Sequence, residues 1–212
     1  VLLDASNSMK YSSHQVSKMD YARFIAASLF YLMTHTQHDA AGLIVFDDEL
    51  RDYIRPSTHH GQFFRLLSCL ERAEPRARTD FAKPIQHFHD FLRRRGIVVM
   101  ISDFYELPGR IVRSLEPLQF RGNEVLLFHV LDPKEMRPEF HEPTALVDLE
   151  TGDTIEVSPE YAENDYRQKI DSHVETLRDL AHGSGMDYYP LITDRPLDGA
   201  LREYLRVRQG RF

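Results

Sequence analysis

The stretch Val1-Leu2-Leu3-Asp4-Ala5-Ser6-Asn7-Ser8 joins a short apolar run to a polar loop. The apolar run has the character of a buried strand, and Asp4, Ser6 and Ser8 follow at alternate positions where that strand ends. In a tight loop these three side chains can turn toward one point. Their carboxylate and hydroxyl oxygens are hard ligands of the kind that Mg²⁺ or Mn²⁺ prefers. The stretch therefore predicts a strand with a divalent-cation site at its carboxyl end.

Further apolar runs predict the sheet to which this first strand belongs. Four of them have strand length: AGLIVF (41–46), IVVMI (97–101), EVLLFHVL (124–131) and MDYYPLI (186–192). The run LRDYI (50–54) alternates instead, and it forms a hairpin with residues 41–46 across Asp47 and Asp48. Continuous apolar strands separated by helices are typical of a parallel sheet covered on both faces. The prediction is an α/β, doubly wound, Rossmann-like fold with a mainly parallel six-stranded sheet.

Segments with helical spacing of apolar residues lie between these strands. They are 15–34, 63–70, a helix that begins near Thr79 or Asp80 and ends before Gly96, one that begins at Pro108, 166–180 and 197–205. The part from Met19 to Met33 is apolar on nearly every face, so we expect it to be deeply buried. Residues 143–158 interrupt this order, because they alternate around a turn at 150–153 and predict a small inserted β-hairpin.

Length, charge and cysteine content restrict the class of protein. The 212 residues suit one domain, 1–212, and the opening apolar run is so short that we expect a native segment to precede it. The formal charge of −7 does not suit a phosphate backbone, so nucleic acid is not an expected partner. No run approaches the roughly 20 apolar residues that cross a bilayer, so membrane contact is not expected. Cys69 is the only cysteine, and we expect it to be a buried packing residue. A chain without a cysteine pair favours a reducing, cytoplasmic setting.

Two further metal ligands are expected from other parts of the chain. Asp103 follows the 97–101 strand, which would lie beside the first strand where the strand order reverses. Doubly wound sheets bind ligands in that crevice. Thr79 lies in the polar loop ERAEPRARTD (71–80). The predicted metal ligands are Asp4, Ser6, Ser8, Thr79 and Asp103.

The motifs DASNS (4–8), ARTD (77–80) and VVMISD (98–103), in this order, resemble the metal-ion-dependent adhesion site (MIDAS) of von Willebrand A (VWA) domains. The resemblance implies that the Ser6 and Ser8 hydroxyls bind the ion directly. It also implies that the two aspartates act directly or through water, and that the threonine joins in the ligand-bound state. The coordination sphere of such sites is left open for a carboxylate from a partner protein.

Two features near the motif qualify this resemblance. Phe104 follows Asp103 where many VWA domains have glycine, so we expect a stiffer loop. Arg76 and Arg78 precede Thr79, and they would favour an acidic partner if they faced the site. The alternative is that both arginines are ordinary solvated loop charges.

Weaker motifs across most of the chain resemble one bacterial branch, the domain-of-unknown-function family 58 (DUF58). They are DLETG (148–152), Tyr166-Arg167, YYPLITD (188–194) and ALREYLRVRQ (200–209). Genes of that family typically neighbour MoxR-type AAA+ ATPases. The resemblance therefore implies a non-enzymatic, Mg²⁺- or Mn²⁺-dependent protein-protein interaction module that works with such an ATPase in protein maturation or complex assembly.

The alternative function is a Mg²⁺- or Mn²⁺-dependent phosphoesterase or nuclease that uses Asp4 and Asp103. Two-metal hydrolysis needs further carboxylates near the first two. The candidates are Asp47, Asp48 and Glu106, although the predicted hairpin places the first two away from the crevice. Clear turnover of phosphodiesters or phosphomonoesters would favour this alternative.

The remaining reactive residue types predict no second site. The serines lack a G-x-S-x-G elbow, and no glycine-rich phosphate-binding motif is present. The 11 histidines include His59-His60 and His87-x-His89, whose members point to different sides of an element and are interpreted as ordinary surface or partly buried residues. His129, inside an apolar strand, is interpreted as a core residue with satisfied hydrogen bonds.

Overall fold

The computed structural model describes residues 1–76, 84–85, 95–140, 142–147, 149 and 152–209. Several sequence predictions concern residues outside these ranges: those for Thr79, Arg78, His87 and His89, most of the helix expected before Gly96, and residues 150 and 151 of the hairpin turn. The other predicted elements fall within the described ranges.

The strands form one six-stranded sheet and one two-stranded sheet over the described residues. In chain order they are β1 (Leu2–Asp4), β2 (Ala41–Phe46), β3 (Leu50–Ser57), β4 (Ile97–Ser102), β5 (Glu124–Leu131), β6 (Thr144–Val147), β7 (Thr154–Val157) and β8 (Asp187–Ile192). The large sheet has the order β3-β2-β1-β4-β5-β8, and all neighbours are parallel except the β2/β3 hairpin. The predicted doubly wound α/β fold is confirmed. The strand order reverses between β1 and β4, so their carboxyl ends lie side by side.

Helices connect these strands. In chain order the α-helices of the described chain are α1 (Lys18–Tyr31), α2 (Gln62–Arg72), α3 (Pro108–Phe120), α4 (Pro133–Met136), α5 (Pro159–Tyr161), α6 (Arg167–Gly183) and α7 (Asp198–Gln209). A single 3₁₀ turn, Asn7–Lys10, follows β1 directly. Ser17 caps α1, since its side chain accepts a hydrogen bond from the Asp20 backbone N–H.

The large sheet has a buried apolar cluster on each face. α1, α2 and α7 cover one face, whereas α3 and α6 cover the other. β5 alternates between the two clusters, with Leu126 and Phe128 on the first side and Leu127 and Leu131 on the second. The deep burial expected for Met19–Met33 holds for most of that segment, with Phe24 and Tyr31 as the exceptions, each 53% exposed.

The inserted hairpin predicted at 143–158 is confirmed as the antiparallel pair β6/β7, in which Thr144 lies opposite Val157. It forms its own two-stranded sheet beside the large one. Within the described ranges, no helix combines the length and the apolar composition that crossing a bilayer requires.

Candidate metal site

Asp4 ends β1 and is completely buried. Its Oδ1 accepts a hydrogen bond from the Ser6 backbone N–H at 2.8 Å, and its Oδ2 accepts one from the Ser102 hydroxyl at 2.5 Å. The first contact closes the loop after β1, and the second joins β1 to its neighbour β4. Asp4 is therefore held from both sides of the crevice.

The two serines predicted as ligands lie together in the loop after β1. Their hydroxyl oxygens, Ser6 Oγ and Ser8 Oγ, are 3.0 Å apart and buried. Ser8 belongs to the 3₁₀ turn, which brings its side chain back toward the end of the strand. Asn7, between them in the sequence, has an Oδ1 that is buried without a hydrogen-bond partner among the described residues. The loop thus brings the two serine hydroxyl oxygens together.

Asp103 follows β4 and reaches the same point from the neighbouring strand. Its Oδ2 accepts a hydrogen bond from the Lys18 ammonium at 2.8 Å, whereas its Oδ1 is buried and has no partner among the described residues. Phe104, next in the chain, has a φ of +49°, is fully buried, and donates its backbone N–H to the Ser102 hydroxyl at 2.8 Å. A bulky side chain rarely adopts this left-handed conformation, so the turn stores backbone strain in a position where glycine is the easier residue.

Lys18, the first residue of α1, is the site residue that sequence reasoning missed. Its ammonium lies 2.8 Å from Asp103 Oδ2 and 2.6 Å from Glu135 Oε1, and its side chain is 1% exposed. Glu135 belongs to α4, where it also accepts from the Asp132 backbone N–H in a capping box. A lysine directly after a capping serine faces the positive end of the helix dipole, which is unfavourable without acidic partners. A lysine at this position of a helix was the sequence signal that could have indicated buried acidic partners.

The charges in this cluster shift one another's protonation. Burial, and then the nearby Asp103 carboxylate, raise the pKa of Asp4 to about 7. Burial alone would also raise the pKa of Asp103, but the Lys18 ammonium outweighs it and the pKa of that carboxyl lies below its usual range. The Ser8 hydroxyl lowers it further, although it does not give Oδ1 a regular hydrogen bond. The cluster therefore holds an ionised Asp103 beside an Asp4 that loses its proton near neutral pH.

The loop that leads to Thr79 passes next to the site. The Arg76 backbone N–H donates to the Ala5 carbonyl at 2.8 Å, which joins this loop to the one after β1. The Arg76 side chain is 68% exposed and pairs with Glu74 at 3.0 Å, as the solvated alternative predicts. Thr79 and Arg78 lie outside the described residues, three and two positions further on.

A cavity of about 350 Å³ opens beside Asp103 and Lys18. His129 and His173 line it, and burial lowers the pKa of both, that of His129 to about 3. His129 Nδ1 lies 2.6 Å from the Tyr188 hydroxyl, but its Nε2 has no hydrogen-bond partner. His129 is therefore buried, as predicted for a core residue. Only one of its two ring nitrogens has a hydrogen-bond partner among the described residues.

The residues at this edge of the sheet fit a hard divalent cation. The available donors are carboxylate and hydroxyl oxygens, and one of them, Asp103 Oδ1, is buried without a partner among the described residues. An unsatisfied buried oxygen is unfavourable, so a bound cation would relieve this cost. In the part of the chain that the structure describes, no three His, Cys, Asp or Glu side chains form a group able to hold a metal ion. An ion here would depend on the serine hydroxyls, which suits Mg²⁺ or Mn²⁺.

This chain matches one family profile and several mycobacterial proteins whose names state no activity. A family profile described as "Protein of unknown function DUF58" matches residues 1–179. Uncharacterized protein Rv1480 of Mycobacterium tuberculosis is 28% identical over 198 residues, which is 92% of this chain and 62% of that protein. Uncharacterized protein MAV169 of Mycobacterium avium is 29% identical over 157 residues, which is 73% of this chain and 92% of that protein. The chain thus spans less than two thirds of Rv1480.

Solved structures resemble the whole fold. The conserved hypothetical protein BatB from Bacteroides thetaiotaomicron superposes with a TM-score of 0.67 at 15% identity, over 98% of this chain and 95% of BatB. The SpRpn10 VWA domain superposes with a TM-score of 0.55 at 12% identity, over 92% of this chain and 88% of that domain. Because these identities are low, the likeness shows the fold alone. The chain belongs to the DUF58 family and has a VWA-like fold.

Proposed function

We propose that this protein is a metal-dependent protein-protein interaction module, in which one Mg²⁺ or Mn²⁺ ion is held by Asp4, Ser6, Ser8, Thr79 and Asp103. The observation that carries the proposal is the buried, unpartnered Oδ1 of Asp103 beside the serine pair. The VWA-like fold and the position at the strand-order reversal support it. When bound, the ion would supply a positive centre that attracts an anionic group.

A site built in this way is short of ligands. Mg²⁺ requires six oxygens in near-octahedral geometry and is usually held by one or two carboxylates with several waters. Two carboxylates and two hydroxyls from the described residues leave positions that a partner's acidic side chain can take. We propose that the Asp or Glu of a partner protein completes the coordination, so that the ion joins the two proteins.

The surrounding carboxylates favour binding over hydrolysis. A two-metal mechanism would need additional carboxylates as metal ligands. Three candidates are each paired with a cationic side chain: Glu135 with Lys18, Glu106 with Arg110, and Asp47 with Arg51. Exposed ion pairs such as the one between Glu106 and Arg110 are weak. The phosphoesterase or nuclease alternative is therefore tested directly by an activity assay. Hydrolysis of a phosphodiester or phosphomonoester with Mn²⁺, lost in Asp103→Asn, would favour the enzyme.

Titration calorimetry tests the metal claim. Mg²⁺ and Mn²⁺ should bind the wild-type chain with one site, and Asp4→Ala should abolish the binding heat. Asp52→Ala removes an exposed carboxylate on β3 and should bind as the wild type does. The metal claim fails if the wild type binds no divalent ion, or if Asp4→Ala binds as tightly as the control.

The proposed partner is a MoxR-type AAA+ ATPase, together with a client protein that this ATPase remodels. The family resemblance motivates this pairing, and a reducing, cytoplasmic compartment suits the single buried free thiol of Cys69. A pull-down with the purified ATPase, in Mg²⁺ and in chelator, checks it. Retention in Mg²⁺ alone is expected, and equal retention in both buffers would contradict a metal-dependent contact.

A further inference from the structure

The Lys18 ammonium sits against the candidate metal ligands, although none of the metal-binding motifs includes it. Its two acceptors come from different elements, Asp103 after β4 and Glu135 in α4, and both contacts are within hydrogen-bonding distance. Lysine is almost never fully buried unless it is paired. This lysine therefore fixes the orientation of the Asp103 carboxylate from inside the fold.

The consequence is visible in the partners of each carboxylate oxygen. Asp4 Oδ1 and Oδ2 both accept hydrogen bonds, from the Ser6 backbone and the Ser102 hydroxyl. Asp103 Oδ2 accepts from Lys18, and Asp103 Oδ1 is the oxygen of these two carboxylates that lacks a partner in the part of the chain that the structure describes. A cation at this site consequently meets a carboxylate that offers one free oxygen.

Divalent cations respond differently to this restriction. Ca²⁺ takes 6 to 8 oxygens and often binds a carboxylate through both of its oxygens, whereas Mg²⁺ takes six in strict geometry and retains waters. A carboxylate with one free oxygen suits the smaller ion. Freeing the second oxygen would give Ca²⁺ an additional ligand that Mg²⁺ does not need.

We propose that Lys18 is a positioning residue that sets the metal preference of the site: by holding Asp103 Oδ2 it leaves one oxygen for the ion and favours Mg²⁺ over Ca²⁺. This inference rests on the proposed function, because it concerns the ion that the module binds. It adds a residue outside the adhesion-site motif and assigns that residue a measurable effect.

The experiment compares calorimetric dissociation constants for Mg²⁺ and Ca²⁺ in three proteins. The first is the wild type. The second is Lys18→Met/Glu135→Gln, which removes one positive and one negative charge and so frees Asp103 Oδ2 at unchanged net charge. The third is Glu135→Gln, which changes the charge but retains the contact between Lys18 and Asp103. Circular dichroism confirms that each variant is folded.

The wild type should bind Mg²⁺ more tightly than Ca²⁺. In the double variant the preference for Mg²⁺ should fall by about tenfold or more, the scale of one charge-assisted contact. Glu135→Gln should change both affinities together and keep their ratio, because a change of charge alone acts on both dications alike.

Each contrary outcome has a distinct meaning. A wild type that binds neither ion overturns the proposed metal function and this inference with it. Three results would overturn the role of Lys18 alone. They are a wild type that binds Mg²⁺ but prefers Ca²⁺, a double variant whose ratio stays within about twofold of the wild type, and a Glu135→Gln variant whose preference for Mg²⁺ falls as far as that of the double variant. Because the wild-type ratio is itself a test, the inference remains falsifiable if the double variant does not fold.

Discussion

Ser102 shows how single residues hold the site together. Its hydroxyl donates to Asp4 Oδ2 and accepts from the Phe104 backbone N–H, and the side chain is fully buried. One hydroxyl thus joins the end of β1 to the strained turn after β4. Asp4 and Phe104 are fully buried as well, so both contacts matter for stability.

Ser102→Ala should lower the free energy of unfolding by about 2 to 4 kcal/mol, because it leaves a buried carboxylate oxygen and a buried N–H unpaired. Urea denaturation in metal-free buffer measures this loss. Ser114→Ala, whose hydroxyl donates to the Ile111 carbonyl within α3, serves as the control and should cost much less. Equal losses in the two variants would contradict the bridging role.

Lys18 contributes to stability as well as to the site. Lys18→Met should lower the free energy of unfolding by about 3 to 5 kcal/mol, because it leaves Asp103 and Glu135 as buried charges without their counter-ion. Lys169→Met, at an exposed lysine, should have almost no effect. Thermal or urea unfolding compares the two, and a Lys18→Met chain as stable as the wild type would show that the buried pair is not needed.

Among the elements, the β2/β3 hairpin brings its two strands close together at Gly42. Gly42 lies in β2, and a Cβ atom there would be 2.7 Å from both the ring and the backbone nitrogen of Pro56 in β3. Proline has no N–H for the ladder and is found at sheet edges, which is where β3 lies. The glycine makes room for that edge strand.

Gly42→Ala should therefore destabilise the protein by about 1 to 3 kcal/mol, the usual cost of overpacking. Gly109→Ala makes the same chemical change in α3, where no atom lies within 4 Å of the new methyl group. Since alanine is the better helix former, that variant should be neutral or slightly more stable. A Gly42→Ala protein that unfolds at the same urea concentration as Gly109→Ala would contradict the steric account.

The elements themselves were largely predictable, whereas their side-chain contacts were not. The apolar runs of β2, β4, β5 and β8 indicate buried strands, because a local pattern of apolar residues can be read from a single sequence. The contacts of Lys18 join residues 85 and 117 positions apart, and local patterns carry no information on such pairs. Phe24 and Tyr31 misled the burial prediction for α1, because apolar character does not require that a residue be covered.

At the scale of the molecule, the fold brings the four described candidate ligands to one edge. Asp4, Ser6 and Ser8 were expected together from their spacing, and Asp103 from the order of parallel strands. The prediction of one domain over 1–212 stays a prediction, as does the ligand role of Thr79. The net charge of −7 gives no attraction for an acidic partner, so a bound cation would have to supply it.

Metal binding should therefore be visible in the stability of the whole protein. Mg²⁺ at about 100 times its dissociation constant should add about 2.7 kcal/mol to the free energy of unfolding. For a chain of this size that corresponds to a rise in Tm of roughly 5 to 10 °C. Ser6→Ala/Ser8→Ala should lose the rise and Asp52→Ala should keep it in differential scanning calorimetry. An equal rise in all three proteins would point to non-specific ion binding.

Anomalous diffraction from crystals grown with Mn²⁺ would locate the ion itself. One strong anomalous peak is expected, enclosed by the hydroxyls of Ser6 and Ser8 and the carboxylates of Asp4 and Asp103. A map without a peak there, or with its peak in the neighbouring cavity beside Glu106 and Glu135, would contradict it.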